Sequence, residues 1–255
     1  MNGAFYIGAI GLDSQQRALD VIANNIANLN TPAFKRSAVR FSTLVAPVSD
    51  DSGISATASD PIANLAGVAV GATPHIWTQG DLTQTGQPLD LAINGQGFLE
   101  LLGPSGQTYL WRGGTLKVNA DGYLAAADGT MLKAMISVPQ DATALSIGAD
   151  GKVMAQISGQ SHQIGQLDLV MAKDPESLAD AGNGYYAVSD PSTIYSVQPG
   201  DEDSGTLVQG ALEGSNVQLA DEMTDLLLTQ RAFAANAQVV QAGDQLMSIV
   251  DQLRR

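Results

Sequence analysis

Apolar residues recur every seven positions at both ends of the chain, whereas in the middle they alternate in short runs. Near the C-terminus Leu219, Leu226, Phe233, Val240 and Met247 form one such series, with Met223 and Ala237 four places after two of its members. This spacing predicts a helix with a narrow seam for another helix, not a broad face for covering a globular core. Ser215 followed by Gln218 fits a capping box, and Asp221 and Glu222 place negative charge where the helix dipole favours it. A helix from Val217 to Leu253 would be roughly 55 Å long at about 1.5 Å per residue. A helix of that length needs something to cover its seam. Asp244, four residues after Val240, falls beside the seam, where a charge requires either water or a partner on another chain.

The first helix repeats the pattern. Phe5, Leu12, Leu19 and Ile26 lie seven apart, accompanied by Ala9, Ile22, Ala23 and Leu29. Gly3, Gly8 and Gly11 weaken it, each interior glycine costing on the order of 1 kcal/mol relative to alanine. Close approach of a neighbouring backbone would give them a reason. Pro32 disfavours helical geometry at Thr31 and sets the end. Asn24, Asn25 and Asn28 crowd the last turns, where their amides compete with the backbone. They are either solvated or available to a neighbouring chain, and spacing leaves both readings open.

Between the helices the pattern divides again. Residues 41–76 hold few large apolar side chains and many Ser, Ala, Asp and Gly up to Val70, which predicts an extended connection. From about Trp77 onward short runs alternate: Leu89, Leu91 and Ile93; Val153, Ala155 and Ile157; Leu167, Leu169 and Met171. Asp121-Gly122, Asp128-Gly129 and Asp150-Gly151 supply the positive φ angles of hairpin turns. The expected fold class is α+β. Long terminal helices form a coiled-coil-like inner part from residues 1–40 and 213–255, and a mainly antiparallel β-rich domain spans 77–212.

Charge narrows the partners. The chain of 255 residues has a net charge of −14, with 12 basic and 26 acidic side chains. Residues 1–40 carry +2, residues 213–255 carry −3, and the middle holds −13. Such a surface argues against nucleic acid and anionic lipid, which require clustered Lys and Arg. There is no cysteine, so no disulfide framework or thiolate site exists. No apolar run approaches the roughly 20 residues of a membrane span. The N-terminal stretch also lacks the basic, then apolar, order of a cleavable leader. By these rules alone the chain reads as cytosolic.

Candidate chemistry is sparse. Gly95-Gln96-Gly97 opens like a dinucleotide loop, yet Glu100 occupies the third glycine position and no helical pattern follows. Gly151-Lys152 ends like a phosphate loop but reads as a hairpin turn. Asp201-Glu202-Asp203 lacks the spacing and closing glutamate of a calcium loop. His75 and His162 stand alone, without a nucleophile-elbow motif. Trp77 and Trp111 fit a sheet core. No catalytic residue, cofactor or metal is expected.

The segment Asn24-Asn25-Ile26-Ala27-Asn28-Leu29-Asn30-Thr31-Pro32-Ala33-Phe34-Lys35-Arg36 resembles the signature opening the rod and hook family of bacterial flagellar axial proteins. That family usually carries glycine before the phenylalanine, and Ala33 in its place argues against a left-handed backbone there. The resemblance continues through Gln79-Gly80-Asp81-Leu82, Pro88 to Phe98, Arg112-Gly113 and Asp121 to Leu124. It resumes at Gly210 to Val217 and within the last helix. Gln230-Arg231-Ala232-Phe233 and Asp244-Gln245-Leu246-Met247 lean towards distal rod members, while Thr31-Pro32 and Glu222-Met223-Thr224-Asp225 would also suit a proximal or hook-related one.

The resemblance implies a structural subunit polymerising through its terminal helices to transmit torque. Implied partners are further copies, the other rod and hook proteins, the flagellar type III export apparatus and the rings around the rod. It replaces the cytosolic expectation with a rod crossing the periplasm, exported without a cleaved leader. The expected assembly residues are Phe5, Leu12, Leu19, Ile26, Asn24, Asn25, Asn28, Leu219, Met223, Leu226, Phe233, Val240, Asp244 and Met247. A reading from another class is a soluble β-rich binding or hydrolytic protein with a helical dimerisation hairpin, which a deep polar pocket would favour.

Overall fold

The computed structural model describes residues 2–45, 65–71, 73–103, 106–188, 190–201 and 204–253. Two long helices flank a mainly antiparallel β-rich middle. Helix α1 spans Asn2–Ala27 and helix α2 spans Leu219–Leu253. The backbone separates into two compact units, one of Met1–Ala27, Ser37–Ile76 and Gln218–Arg255, the other of Asn28–Arg36 and Trp77–Val217. The turn after α1 therefore belongs with the β-rich unit, and the stretch expected to be an extended connection belongs with the helices.

In the helical unit α1 and α2 run antiparallel. A Cβ on Gly8 would stand 2.7 Å from Val240 Cγ2, one on Gly11 2.8 Å from Asn236 Nδ2, and Asn25 reaches Glu222 at the other end. The glycines that weaken α1 locally thus permit close contact with α2. Strands β1 (Phe41–Val45) and β2 (Leu65–Val70) pair antiparallel, and β2 packs on α1, where Ser14 Oγ donates to the Val68 carbonyl at 3.2 Å. Neither strand, Phe-Ser-Thr-Leu-Val or Leu-Ala-Gly-Val-Ala-Val, alternates strictly between apolar and polar residues, so the strand period is weak in sequence. Residues 46–64, within the expected connection, lie outside the described residues.

The start of α2 differs from the expected cap. Its first residue is Leu219, and Ser215 Oγ accepts from the amide of Val217 at 3.3 Å instead of capping a helical turn. The Gln218 carbonyl takes the first helical bond, from Glu222.

The β-rich unit centres on a nine-stranded sheet. Its order runs Ala179–Gly182, Tyr185–Ala187, Thr108–Trp111, Leu99–Leu102, Met131–Leu132, Leu124–Ala126, Gly113–Val118, Asp90–Asn94 and Thr206–Gln209. A three-stranded meander (Ala142–Ile147, Lys152–Ile157, Gln160–Gln166) and two pairs complete it, Leu169–Ala172 with Ile194–Val197 and Ala211–Glu213 with Leu82–Gln84. The Asp-Gly turns take the expected geometry, with Gly122, Gly129 and Gly151 at φ of 82°, 100° and 82°.

Leu91, Ile93, Leu99, Leu101, Leu116, Leu124, Leu167 and Leu169 form the main core with Trp111. A second cluster joins Phe98, Leu110, Val170 and Tyr186, against which Trp77 packs edge-on, its centroid 5.2 Å from Phe98 and 4.7 Å from Tyr186. Strand Asp90–Asn94 departs from its alternating pattern: Asp90, Leu91, Ala92 and Ile93 are all buried. Asp90 tolerates this because Thr85 and Thr115 donate hydroxyls to its carboxylate at 2.6 and 2.7 Å.

The α1–α2 contact gives a direct test. Gly11→Leu should destabilise the helical unit by about 1–3 kcal/mol, the range for overpacking a tight contact. Ala9→Leu, on the exposed side of the same turn, should cost nothing. Amide hydrogen exchange along α1 measures both; equal protection in the two variants would contradict the packing.

Candidate functional site

The helices were expected to carry the site; α2 turns Val240 of its prominent series towards α1, whereas α1 meets it through Gly8 and Gly11, beside its own series of Leu12, Leu19 and Ile26. On α1 the buried positions are Gly8, Gly11, Ser14, Ala18, Ile22 and Asn25, whereas Leu12, Leu19 and Ile26 are half-buried beside them. The side chains of Phe5 and Met247 lie outside the described residues. On α2 Leu226, Phe233 and Val240 are half-buried, and Leu219 and Met223 are exposed. Asp244 is also exposed. It stands one residue past Gly243, about 100° round the helix from the line of Glu222, Thr229 and Asn236. The charge expected beside a dry seam therefore stays in water.

Of the three asparagines, Asn24 is exposed, Asn28 half-buried and Asn25 buried. Asn25 Oδ1 accepts from the amide of Ser37 at 3.0 Å, while its Nδ2 donates to the Ser37 carbonyl at 2.9 Å and to Glu222 Oε2 at 3.2 Å. One side chain thus mimics a strand partner for Ser37 and anchors the start of α2. Glu222 is fully buried, and the Asn25 amide supplies one of the partners that a buried carboxylate requires.

The β-rich unit holds a second constellation that sequence reasoning missed. Lys35 and Glu213, with side chains 0% and 1% exposed, form an ion pair of 2.5 Å. Arg112 Nη2 donates to the other Glu213 oxygen at 3.1 Å, and its Nε reaches the same oxygen at 3.3 Å. Each cation also bonds backbone carbonyls. Lys35 Nζ donates to the Thr78 carbonyl at 2.9 Å, and Arg112 Nη1 and Nη2 donate to the carbonyls of Gly97 and Gly95 at 2.7 and 2.8 Å. The Gly80 amide donates to Glu213 Oε1 at 3.1 Å. Loss of water lowers the pKa of Lys35 below its ordinary 10.5; Glu213 opposes the shift and Arg112 adds to it.

Backbone geometry makes the same connections. The Ala33 amide donates to the Glu213 carbonyl at 2.8 Å, and the Arg36 amide to Asn216 Oδ1 at 2.7 Å. Ala33 is buried with φ of 58°, so the left-handed turn persists without glycine, against the expectation. Two bonds hold it there, Ala33 N–H to Glu213 and Asn216 N–H to the Phe34 carbonyl. A Cβ on Gly80 would lie 2.1 Å from the Gly214 carbonyl oxygen, so the second signature needs glycine for close backbone approach. Gly95 and Gly97, at φ of 117° and 120°, present their carbonyls to Arg112 and cradle no phosphate.

The remaining chemical candidates are structural. Gly151 closes a hairpin whose Cβ position is filled by the Leu167 carbonyl. His75 Nδ1 pairs with Ser37 Oγ at 3.2 Å, and His162 is exposed on a strand. Of the acidic run 201–203, residues 202 and 203 lie outside the described residues. Among the described residues no group of three or more ligating side chains could hold a metal. Among the described residues no helix is long and apolar enough to cross a membrane. A cleft of 220 Å³ is lined by Leu99, Leu132, Leu167 and Val170 with Asp168, Ser196 and the surface pair Glu100–Lys133.

Removing one member of a buried ion set leaves its partners charged and without water. Glu213→Leu should therefore cost about 3–5 kcal/mol in denaturant unfolding of the β-rich unit, while Lys35→Met combined with Arg112→Met and Glu213→Leu should recover much of the loss. A cost below about 1 kcal/mol for the single change would contradict the buried latch.

Comparison with known proteins follows the same landmarks. Residues 5–35 match the family described as flagella basal body rod protein, residues 92–155 the flagellar hook protein FlgE/F/G D1 domain, and residues 208–253 the flagellar basal body rod FlgEFG protein C-terminal. The chain is 37% identical to the flagellar basal-body rod protein FlgG of Agrobacterium fabrum over 98% of both chains. It is 34% identical to that of Bacillus subtilis over 99% of both. The flagellar basal-body rod protein FlgF of Caulobacter vibrioides is 31% identical, over 94% of this chain and 93% of its own length.

Proposed function

Because the chain belongs to the flagellar basal-body rod protein family and is a structural subunit of that rod, we propose that its terminal helices are the polymerising part. In this reading α1 and α2 form a coiled-coil-like assembly core built from both chain ends, with the β-rich unit as a separate body making lateral contacts. The residues engaged are Phe5, Leu12, Leu19 and Ile26 with Asn24, Asn25 and Asn28 on α1, and Leu219, Met223, Leu226, Phe233, Val240, Asp244 and Met247 on α2.

One observation carries this proposal. Leu226, Phe233 and Val240 stay half-exposed on α2 even with α1 packed along it. Two helices by themselves do not bury them, and each large apolar side chain fully covered contributes about 1.5–3 kcal/mol. A few such contacts per copy stabilise a polymer that conveys torque along its axis. Head-to-tail repetition without closure gives an open helical filament.

The partners are further copies of this chain and the other axial proteins of the rod and hook, with the position in the distal rod favoured by the full-length likeness to FlgG proteins. We further propose passage through the flagellar type III export apparatus as an unfolded chain, without a cleaved leader, to a rod that crosses the periplasm inside its surrounding rings. The absence of cysteine and the glycine-weakened α1 suit that route. The role is mechanical, with no catalysed reaction.

Phe233→Asp places a charge in the helical seam and tests the proposal. Isolated basal bodies should lack rod assembled from the variant, while the thermal transition of the β-rich unit remains within about 0.5 kcal/mol of the parent, as for a change outside its core. Normal rods and full motility would contradict assembly through this seam.

A further inference from the structure

Each helix carries two seven-residue seams, and the pairing of α1 with α2 uses only one from each. On α1 the buried line is Gly8, Gly11, Ala18, Ile22 and Asn25; the second line lies one residue later, at Ala9, Leu12, Gln16, Leu19, Ala23 and Ile26. On α2 the line towards α1 includes Glu222, Leu226, Phe233, Asn236 and Val240. The second line lies one residue earlier; it starts at the acidic Asp221 and Asp225 and from Leu228 onward is uncharged, with Leu228, Ala232, Ala235, Val239, Ala242 and Ile249. Leu228, Val239 and Ile249 on it are 58%, 52% and 52% exposed.

The direction of these offsets fixes where the second seams point. One residue is about 100° of rotation on an α-helix. On α1 the step is forward and on α2 it is backward. Because the helices are antiparallel, as Gly8–Val240 and Asn25–Glu222 require, the two rotations have the same sense viewed down the pair. They carry the two second seams to opposite sides of the hairpin. Neither can cover the other within one molecule.

The two second seams also match. Leu228 to Ile249 and Phe5 to Ile26 cover the same number of residues, neither contains a charged side chain, and both set large apolar residues among alanines. For a chain of net charge −14, uncharged lines are the places where copies can approach without repulsion. Large residues among small ones on both lines allow knobs to enter holes.

We propose that the second seam of α1 in one copy docks on the second seam of α2 in the next. The inference rests on the reading of the chain as a polymer subunit and assigns which surfaces meet. Each copy offers a different surface on each side, so the contact is heterologous and repeats without closing, as an open filament requires. It also gives the series Leu12, Leu19 and Ile26 a role that the single hairpin does not.

Because the chain has no cysteine, disulfide trapping reports only introduced pairs. Cells co-express Val239→Cys full-length protein with a second copy bearing cysteine at Ala9, Leu12, Gln16, Leu19, Ala23 or Ile26 in turn, and rods are isolated and oxidised. The expected result is an interchain disulfide at one or more of these positions and none at Ile10→Cys or Arg17→Cys. As the internal standard, Ala18→Cys with Thr229→Cys, midway between the Gly11–Asn236 and Asn25–Glu222 contacts, should close within one chain. Assembled rods without any interchain link along the second α1 seam, or with links equally at Ile10 and Arg17, would overturn the proposal. Failure of the parent protein to enter rods at all would instead remove the polymer reading beneath it.

Discussion

The β-rich unit depends on a carboxylate that has exchanged all its water for protein. Glu213 meets Lys35 across 178 positions of sequence and Arg112 across 101, and it also takes the amide of Gly80. Burying these ions costs several kcal/mol each, and attraction repays that only when every remaining donor finds a partner. Here the carbonyls of Thr78, Gly95 and Gly97 take further N–H groups of the two cations. Removing any one member leaves a charge buried without its partner, which is costly. The contribution of the set is to select one arrangement of chain segments more than to add net stability.

The helical unit uses the opposite strategy. Its contact is made by absence of side chain at Gly8 and Gly11, and by one amide, Asn25, that bonds both the turn at Ser37 and the start of α2 at Glu222. The large apolar residues that would make a self-sufficient core are displaced to half-exposed or exposed positions. Such an arrangement is a poor core for a monomer, and a suitable element for a structure completed by neighbours. The two units thus differ physically: one is specified internally by buried charge, the other leaves apolar surface to be covered by association.

Much of this was legible in the residues, because both helices, the Asp-Gly turns and the β-rich middle depend on local periods and turn chemistry. The seams were legible only in part. A seven-residue series marks which positions are apolar, but a helix with two such series does not reveal which one faces its own partner. The large side chains of Leu12 and Leu19 drew attention, while the glycines beside them made the contact. Lys35, Arg112 and Glu213 lie within the segments that carry the family resemblance, and nothing in their spacing marks a shared site. Charge predicts exposure, and only the fold brings three distant charges together. Arg112 and Glu213 each stand beside a glycine, and Lys35 stands between Phe34 and Arg36, none of which separates a buried charge from a solvated one. Ala33 shows the reverse limit: two tertiary hydrogen bonds hold a left-handed turn that its residue type disfavours.

The central claim is that Glu213 binds separate segments into one cooperative set, so Lys35 and Arg112 should be coupled although they belong to different signatures. A double-mutant cycle in the full-length protein, with Lys35→Met, Arg112→Met and both together, measures that coupling by denaturant unfolding. The expected interaction free energy is at least about 1 kcal/mol, as for residues sharing one ionic network. Additivity within about 0.3–0.5 kcal/mol, the behaviour of independent sites, would contradict it.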